Sequence, residues 1–198
     1  KNPYAELPKM NIFTYDITKN IDNVLDQTGV FSFPEFFRTW TGNPKADKAS
    51  MPVGAEGRFV HEADVLKFLN LLCTKDAENN FPFSTTEYRQ MFRHTLWVVS
   101  HVNEAAALEQ LLNEHPTFKR FKVVNVAGKN DSDEQNENAL DKVLNTIGDL
   151  PEKTSTITVS CGRLTTGVTV APWTAVFYLK GGDRAATYMQ TIFRVQSP

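Results

Sequence analysis

From about residue 95 onward, short apolar segments alternate with amphipathic helical segments, and this alternation constrains the fold more than any other feature. Strands and helices that alternate at this spacing form a parallel sheet, because right-handed crossover connections place the helices on its two faces. We therefore predict an α/β fold. The predicted strands are 96–100, 121–126, 156–160 and 174–179, and the predicted helices of this part are 104–114, 139–147 and 184–195.

The residues before the first predicted strand have a different composition. Ten of the 14 phenylalanines precede residue 95. The apolar spacing at 62–73 predicts an amphipathic helix, and 41–57, rich in Gly, Pro, Lys and Ala, is a predicted loop. We therefore divide the chain into a mostly helical and irregular part, 1–93, that packs on an α/β domain, 94–198. Because the chain starts with Lys and stops directly after a helical pattern, we expect a fragment of a larger protein.

The charge balance argues against a binder that depends on excess positive charge. The chain has 21 basic and 23 acidic residues, a net charge of −2 and a pI near 6.1, although a local basic groove is compatible with these totals. Hydrophobic residues make up 41% of the chain, which is enough for a packed core. No apolar run approaches the roughly 18 residues of a membrane helix, so we expect a soluble, cytoplasmic protein with no membrane partner.

The cysteines and histidines give no pattern that indicates a metal site. Cys73 and Cys161 are the only two cysteines and lie far apart in the sequence, which supports neither a disulfide framework nor a zinc site. The four histidines have no partner at the spacing of metal ligands on a helix. The sequence therefore predicts no metal bound by this chain's own residues.

Ligands of parallel sheets gather at the carboxyl ends of the strands, where the segment 160–169 is the richest candidate. It contains four hydroxyl groups, two glycines and Arg163, a composition that suits phosphate binding and equally suits an ordinary polar connection. In the last predicted helix, Gln190 and Arg194 are four residues apart and share a face, although a lone helical arginine is more often solvated. The chain has no G-x-x-x-x-G-K-[ST] phosphate-binding loop.

Three ordered segments resemble conserved motifs of superfamily 2 helicases. The segment 94–100 resembles motif IV, 156–169 with 173–176 resembles motif V, and 188–196 resembles motif VI. These segments resemble the Res subunit of type III restriction enzymes and phage or defence helicases of the DEAD/DEAH type. This resemblance implies that 94–198 is the second, C-terminal RecA-like domain of such a motor, and residues 1–93 resemble a variable insertion between the two motor domains.

The resemblance also implies the ligands and roles of single residues. In this family ATP and Mg²⁺ lie between two RecA-like domains and are held mainly by the first, so the present chain alone is predicted to be inactive. Arg194 would be the arginine finger and Gln190 its catalytic neighbour, while Gly167 and Thr169 would approach the nucleotide with Arg194. The residues implied to contact the nucleic-acid backbone are Ser100, His101, Ser160, Arg163, Thr165 and Thr166.

The implied partners are DNA, with RNA as an open alternative, the first RecA-like domain, and a methyltransferase or nuclease subunit. Two positions depart from the family pattern: Thr169 stands where motif V has an acid, and Ser197 stands where motif VI has a second arginine. These departures fit either a subfamily variation or a motor with reduced ATPase. The alternative function from another class is a nucleotide-binding or protein-interaction domain that has the same sheet and no motor activity.

Overall fold

The structure, a computed structural model, describes residues 11–12, 31–75, 81–128, 133–165 and 169–181. Within these residues, four strands form one sheet in the order β2-β3-β1-β4. The strands are β1 (His94–Val98), β2 (Lys122–Asn125), β3 (Thr156–Ser160) and β4 (Ala175–Tyr178). The helices are α1 (Phe33–Phe36), α2 (Pro44–Asp47), α3 (Glu62–Cys73), α4 (Thr86–Met91), α5 (Val102–Glu114) and α6 (Asp133–Ile147).

All pairs of neighbouring strands in this sheet are parallel. β1 lies in the interior, where Thr95 is opposite Ile157 of β3 on one side and Ala175 of β4 on the other. β2 pairs with the outer side of β3. The prediction of an α/β fold with a parallel sheet is therefore confirmed.

β1 begins two residues before the predicted strand, because its first two polar residues are satisfied inside the protein. Nε2 of His94 lies 2.8 Å from the Pro151 carbonyl, which can only accept, so Nδ1 accepts the Thr156 hydroxyl at 2.9 Å. Burial accordingly lowers the pKa of His94. Nε1 of Trp97 donates to the hydroxyl of Thr95 at 2.9 Å.

One side of the sheet, the aromatic face, carries Trp97, Val99, Ile157 and Val159. Helix α5 packs on it through a stripe of small and aliphatic residues at helical spacing, Ala105, Leu108, Leu111 and Leu112. The 3-10 turn Phe118–Arg120 adds an aromatic ring that is fully buried.

The opposite side, the aliphatic face, carries Leu96, Val98 and Val124. Helix α6 covers it with Ala139, Val143 and Ile147. The segment between β3 and β4 completes this layer with three further buried side chains, Leu164, Val170 and Trp173. Helices therefore cover both faces of the sheet.

Residues that precede β1 complete the core of the aromatic face. Helix α3 has the predicted bounds 62–73 and buries Phe68 and Leu69 beside Phe36 and Phe37. The ring centroid of Phe83 lies 6.1 Å from that of Trp97. The described part of 1–93 thus shares one continuous core with the sheet, while the boundary at residue 93 stays a prediction.

Two helices begin earlier than predicted. α5 starts at Val102 instead of residue 104, and α6 starts at Asp133 instead of residue 139. Acidic residues stabilise the first turn of a helix, which explains why Asp133 and Glu134 are part of α6. The predicted helix 184–195 lies outside the described residues. In the part that the structure describes, no helix combines the length and apolar character needed to cross a membrane.

Candidate functional site

The candidate site is the carboxyl edge of the sheet, where β1 and β3 end side by side. After β1 the chain enters α5, which packs on the aromatic face. After β3 it enters the segment that contains Leu164 and packs on the aliphatic face. Connections that leave adjacent parallel strands toward opposite faces open a crevice between them, and this is where α/β proteins bind ligands.

A buried carboxylate, that of Glu104, binds the backbone of the loop after β1. One oxygen of Glu104, Oε2, accepts the backbone amides of Ser100 at 2.8 Å and His101 at 3.1 Å. Ser100 is half-buried and His101 is exposed, so both backbone amides are satisfied inside while the imidazole faces solvent. This loop can offer side chains to a ligand, but its two amides already have an anionic partner.

Burial gives Glu104 an unusual titration. Its side chain is only 4% exposed, and desolvation raises the pKa of the carboxyl above its ordinary value of 4.5. The amides of Ser100 and His101 and the charge of Lys180 act in the opposite direction. Because Lys180 follows β4, this carboxylate also links the loop after β1 electrostatically to the chain after β4.

The turn after β3 uses its hydroxyl groups internally. Ser160 is fully buried, and its Oγ donates to the carbonyl of Arg163 at 2.6 Å while accepting the amide of Gly162 at 3.2 Å. The hydroxyl of Thr165, also buried, donates to the Gly162 carbonyl. The two hydroxyls close the turn, so a phosphate could reach them only if the turn opened.

Leu164 gives this turn a strained but anchored backbone. Its φ angle is 62°, in the left-handed region that non-glycine residues rarely adopt, yet its side chain is only 2% exposed in the aliphatic layer. Such a conformation persists only where its surroundings over-determine it. The buried leucine and the hydroxyl bonds on either side supply that constraint.

Arg163 lies across the chain that follows β2. Nη2 donates to Oε1 of Gln135, in the first turn of α6, and Nη1 lies 3.5 Å from the carbonyl of Val126. The guanidinium also covers Gly128, whose carbonyl accepts a weak bond from Sγ of Cys161 at 3.9 Å. The arginine predicted to contact phosphate therefore bonds to other parts of this chain.

The part of the chain before β1 also reaches the carboxyl edge. A Cβ on Gly181, which follows β4, would lie 3.7 Å from side-chain atoms of Phe33. Helix α1 therefore packs beside the segment that leads out of β4 toward the residues resembling motif VI.

The structure describes six of the predicted site residues. Gln190 and Arg194, the predicted catalytic pair, and Gly167 and Thr166 lie outside the described residues. Thr169 is described and exposed. Five of the described predicted residues come together at the carboxyl edge, and of these five only His101 is exposed: Ser100, His101, Ser160, Arg163 and Thr165. No arrangement of three or more His, Cys, Asp or Glu side chains within the described ranges could hold a metal ion.

Glu104 is the site residue that the sequence analysis missed. The spacing His101-x-x-Glu104 places an acid at the third helical position after the residue that precedes α5. An acid at this position typically accepts the amides at the start of a helix. That spacing predicts an anchoring carboxylate, but a predicted helix that starts at 104 does not place Glu104 at this position.

Comparison with known proteins gives one relevant similarity. The chain is 30% identical over 210 residues to a protein of Mycoplasma pneumoniae named "Putative type II restriction enzyme and methyltransferase RM.MpnORF110P C-terminus". The match includes 98% of this chain and 28% of that protein, so the chain spans less than a third of its relative's length. No family model matches the chain, and no solved structure matches it significantly. The similarity extends over the part before β1 as well as over the sheet.

Proposed function

We propose that this chain is the second motor domain of an ATP-dependent DNA helicase or translocase of a restriction-modification or phage-related system. The similarity to the Mycoplasma pneumoniae protein supports a role related to restriction and modification. The resemblance of 94–100, 156–169 and 188–196 to helicase motifs supports the more specific role of a motor. The confirmed parallel α/β sheet is the type of scaffold that such a motor uses.

The observation that carries the proposal is the pairing of β1 with β3. These strands begin the segments that resemble motifs IV and V, and they lie side by side with Val98 opposite Ser160 at their carboxyl ends. Two segments separated by more than fifty residues of sequence are thus adjacent at one ligand-binding edge. A shared track for nucleic acid requires this proximity.

We assign the nucleic-acid contacts at this edge to side chains of the loop after β1. His101 is exposed and Ser100 is partly exposed, while Glu104 fixes their backbone. Thr166 stays a predicted contact. Ser160, Arg163 and Thr165 hold the turn after β3 in place.

ATP with Mg²⁺ would supply the phosphoryl group whose hydrolysis drives movement, and both would be held mainly by the first motor domain. The described residues fit this division, because the carboxyl edge offers polar loops but the sequence has no phosphate-gripping loop of its own. Arg194 would place a permanently charged, planar guanidinium against the phosphates, with Gln190 on the same helical face. Gly167 and Thr169 would lie along the nucleotide.

The remaining partners in the proposal are DNA, the first RecA-like domain, and a methyltransferase or nuclease unit. The name of the Mycoplasma pneumoniae relative includes both a restriction enzyme and a methyltransferase. As part of the proposal, we infer that this chain also works together with such a unit. The same chain could serve as an accessory binding domain without motor activity, and the following experiment separates the two functions.

The test is ATP hydrolysis by the intact protein, with and without duplex DNA, in the wild type and two arginine variants. Arg194→Ala should lower DNA-stimulated turnover by about 10³- to 10⁵-fold, because arginine fingers stabilise charge in the transition state by that amount. Arg120→Ala is the matched control, since Arg120 is exposed and precedes β2 at the opposite edge of the sheet. Equal turnover in both variants, or no DNA-stimulated hydrolysis by the wild type, would favour the accessory domain.

A further inference from the structure

The guanidinium of Arg163 joins three segments of the carboxyl edge. It belongs to the turn after β3, lies against Gly128 of the loop after β2, and donates to Gln135 in the first turn of α6. We propose that Arg163 is a positioning residue that clamps these segments together, and that it does not itself contact the nucleic-acid backbone. We call this set, Arg163, Gly128 and Gln135, the arginine clamp.

The absence of a side chain at residue 128 is what makes room for the clamp. A Cβ on Gly128 would lie 2.3 Å from Cζ and Nη2 of Arg163 and 2.4 Å from Nη1, far inside contact distance. The φ angle of Gly128 is not in the left-handed region, so its conformation does not itself require glycine. A side chain at 128 would instead displace the guanidinium, which occupies the space next to the Cα of Gly128 and is the far end of a flexible side chain.

The turn that carries Arg163 is itself rigid. The carbonyl of Arg163 accepts a hydrogen bond from the Ser160 hydroxyl at 2.6 Å, and the next residue, Leu164, is buried with a φ of 62°. A backbone fixed on both sides directs the arginine side chain along a defined path toward Gln135. The clamp therefore joins one rigid turn to a loop whose chain continues into α6.

The functional consequence rests on the proposed role in nucleic-acid binding. A clamp acts by holding the turn after β3 and the loop after β2 in a fixed relation, so its loss should weaken binding without removing a phosphate contact. A direct contact would behave differently, because each neutralised phosphate adds about 0.9 to the slope of log affinity against log salt for duplex DNA. The salt slope thus separates positioning from contact.

The first experiment tests the clamp without any ligand, by thermal denaturation of the intact protein. The variants are Arg163→Ala, Gly128→Ala and the double variant, with Arg120→Ala as the exposed control. Each single change should lower the melting temperature of the transition, since alanine at 128 displaces the guanidinium. The double variant should melt close to the Arg163→Ala protein, because residues in one network are not additive. Additive losses would overturn the clamp.

The second experiment measures the affinity of the same variants for a short fluorescent duplex over a series of salt concentrations. Arg163→Ala and Gly128→Ala should each weaken binding by about three- to tenfold at every salt concentration, with the slope unchanged. Arg163→Lys should weaken binding almost as much as Arg163→Ala, because an ammonium group cannot reproduce the planar fork that reaches both acceptors. A slope reduced by about one in Arg163→Ala, and retained in Arg163→Lys, would make Arg163 a phosphate contact and overturn the proposal.

The two experiments fail in distinguishable ways. A wild-type protein that does not bind duplex or single-stranded DNA contradicts the proposed function, while the denaturation cycle still decides whether the clamp exists. Should Arg163→Ala prevent folding, Gln135→Ala provides a milder variant that removes one acceptor and leaves the charge in place. Additive effects of Gln135→Ala and Gly128→Ala would then overturn the clamp, and non-additive effects would support it.

Discussion

The loop after β1 and the turn after β3 leave neighbouring strands at the same edge, but they use their polar groups in opposite ways. In the first, Glu104 binds the backbone from inside and the imidazole of His101 remains exposed. In the second, the hydroxyl of Ser160 and the guanidinium of Arg163 bond to other parts of the chain. The difference shows that an edge rich in hydroxyls and a basic group need not present them to a ligand.

The comparison also shows what each segment is suited to do. A loop anchored by its amides keeps its side chains available, so it can bind a ligand without losing its shape. A turn closed by its side chains is rigid, and it can set the distance between neighbouring loops. Variants that alter one segment at a time separate these two roles, because they change either stability or DNA binding.

The largest effect on stability is expected from the anchor of the first loop. Glu104→Ala removes the acceptor of two amides in a buried position and should lower the free energy of unfolding by about 2–3 kcal/mol. Chemical denaturation measures this change. Glu137→Ala, a matched change at an exposed position of α6, should stay within about 0.5 kcal/mol of the wild type. Similar values for both variants would show that the anchor is unimportant.

A glutamine at the same position tests the charge of the anchor separately. Because burial raises the pKa of Glu104, the native state binds this proton more tightly than the unfolded state does. The contribution of this carboxyl to the free energy of unfolding is therefore fully present below about pH 4.5, and it is lost as the pH rises through the higher native pKa. Glu104→Gln has no charge at this position. Its free energy of unfolding should therefore increase relative to that of the wild type as the pH rises through the native pKa of Glu104. A difference that does not change with pH would contradict the raised pKa.

A smaller loss is expected when the turn after β3 is opened. Ser160→Ala removes the hydroxyl that bonds to Arg163 and Gly162, and it should lower the free energy of unfolding by about 1–2 kcal/mol. Chemical denaturation measures this loss, and fluorescence titration measures the DNA affinity of the same variant. Ser50→Ala, at an exposed position, serves as the stability control. A large loss of DNA affinity with normal stability would return Ser160 to the set of nucleic-acid contacts.

The smallest effect belongs to the exposed side chain of the first loop. His101→Ala should leave stability within about 0.5 kcal/mol, because the imidazole is exposed. DNA affinity should fall by about two- to tenfold, which corresponds to the loss of one ordinary hydrogen bond. Fluorescence titration measures the affinity. An unaltered affinity would shift the contact surface away from the loop after β1.

Much of the fold follows from local patterns, and the use of the site does not. The bounds of α3, 62–73, and of β3, 156–160, were predicted correctly because hydrophobic spacing is a local signal. The bonds of Arg163 join residues 28 and 37 positions apart, and no local pattern reports on such contacts. The strand order β2-β3-β1-β4 likewise depends on packing between distant segments.

The central claim is that the carboxyl edge of this sheet faces the nucleic acid and the nucleotide in a larger motor. Hydrogen–deuterium exchange of the intact protein, with and without duplex DNA and a non-hydrolysable ATP analogue, tests it most directly. Slower exchange is expected in peptides over 99–104 and 160–165 when both ligands are present. Peptides over 118–122 and 148–155, which precede β2 and β3 at the opposite edge, should be unchanged. Protection confined to the opposite edge, or bound DNA with no protection at the carboxyl edge, would contradict the claim.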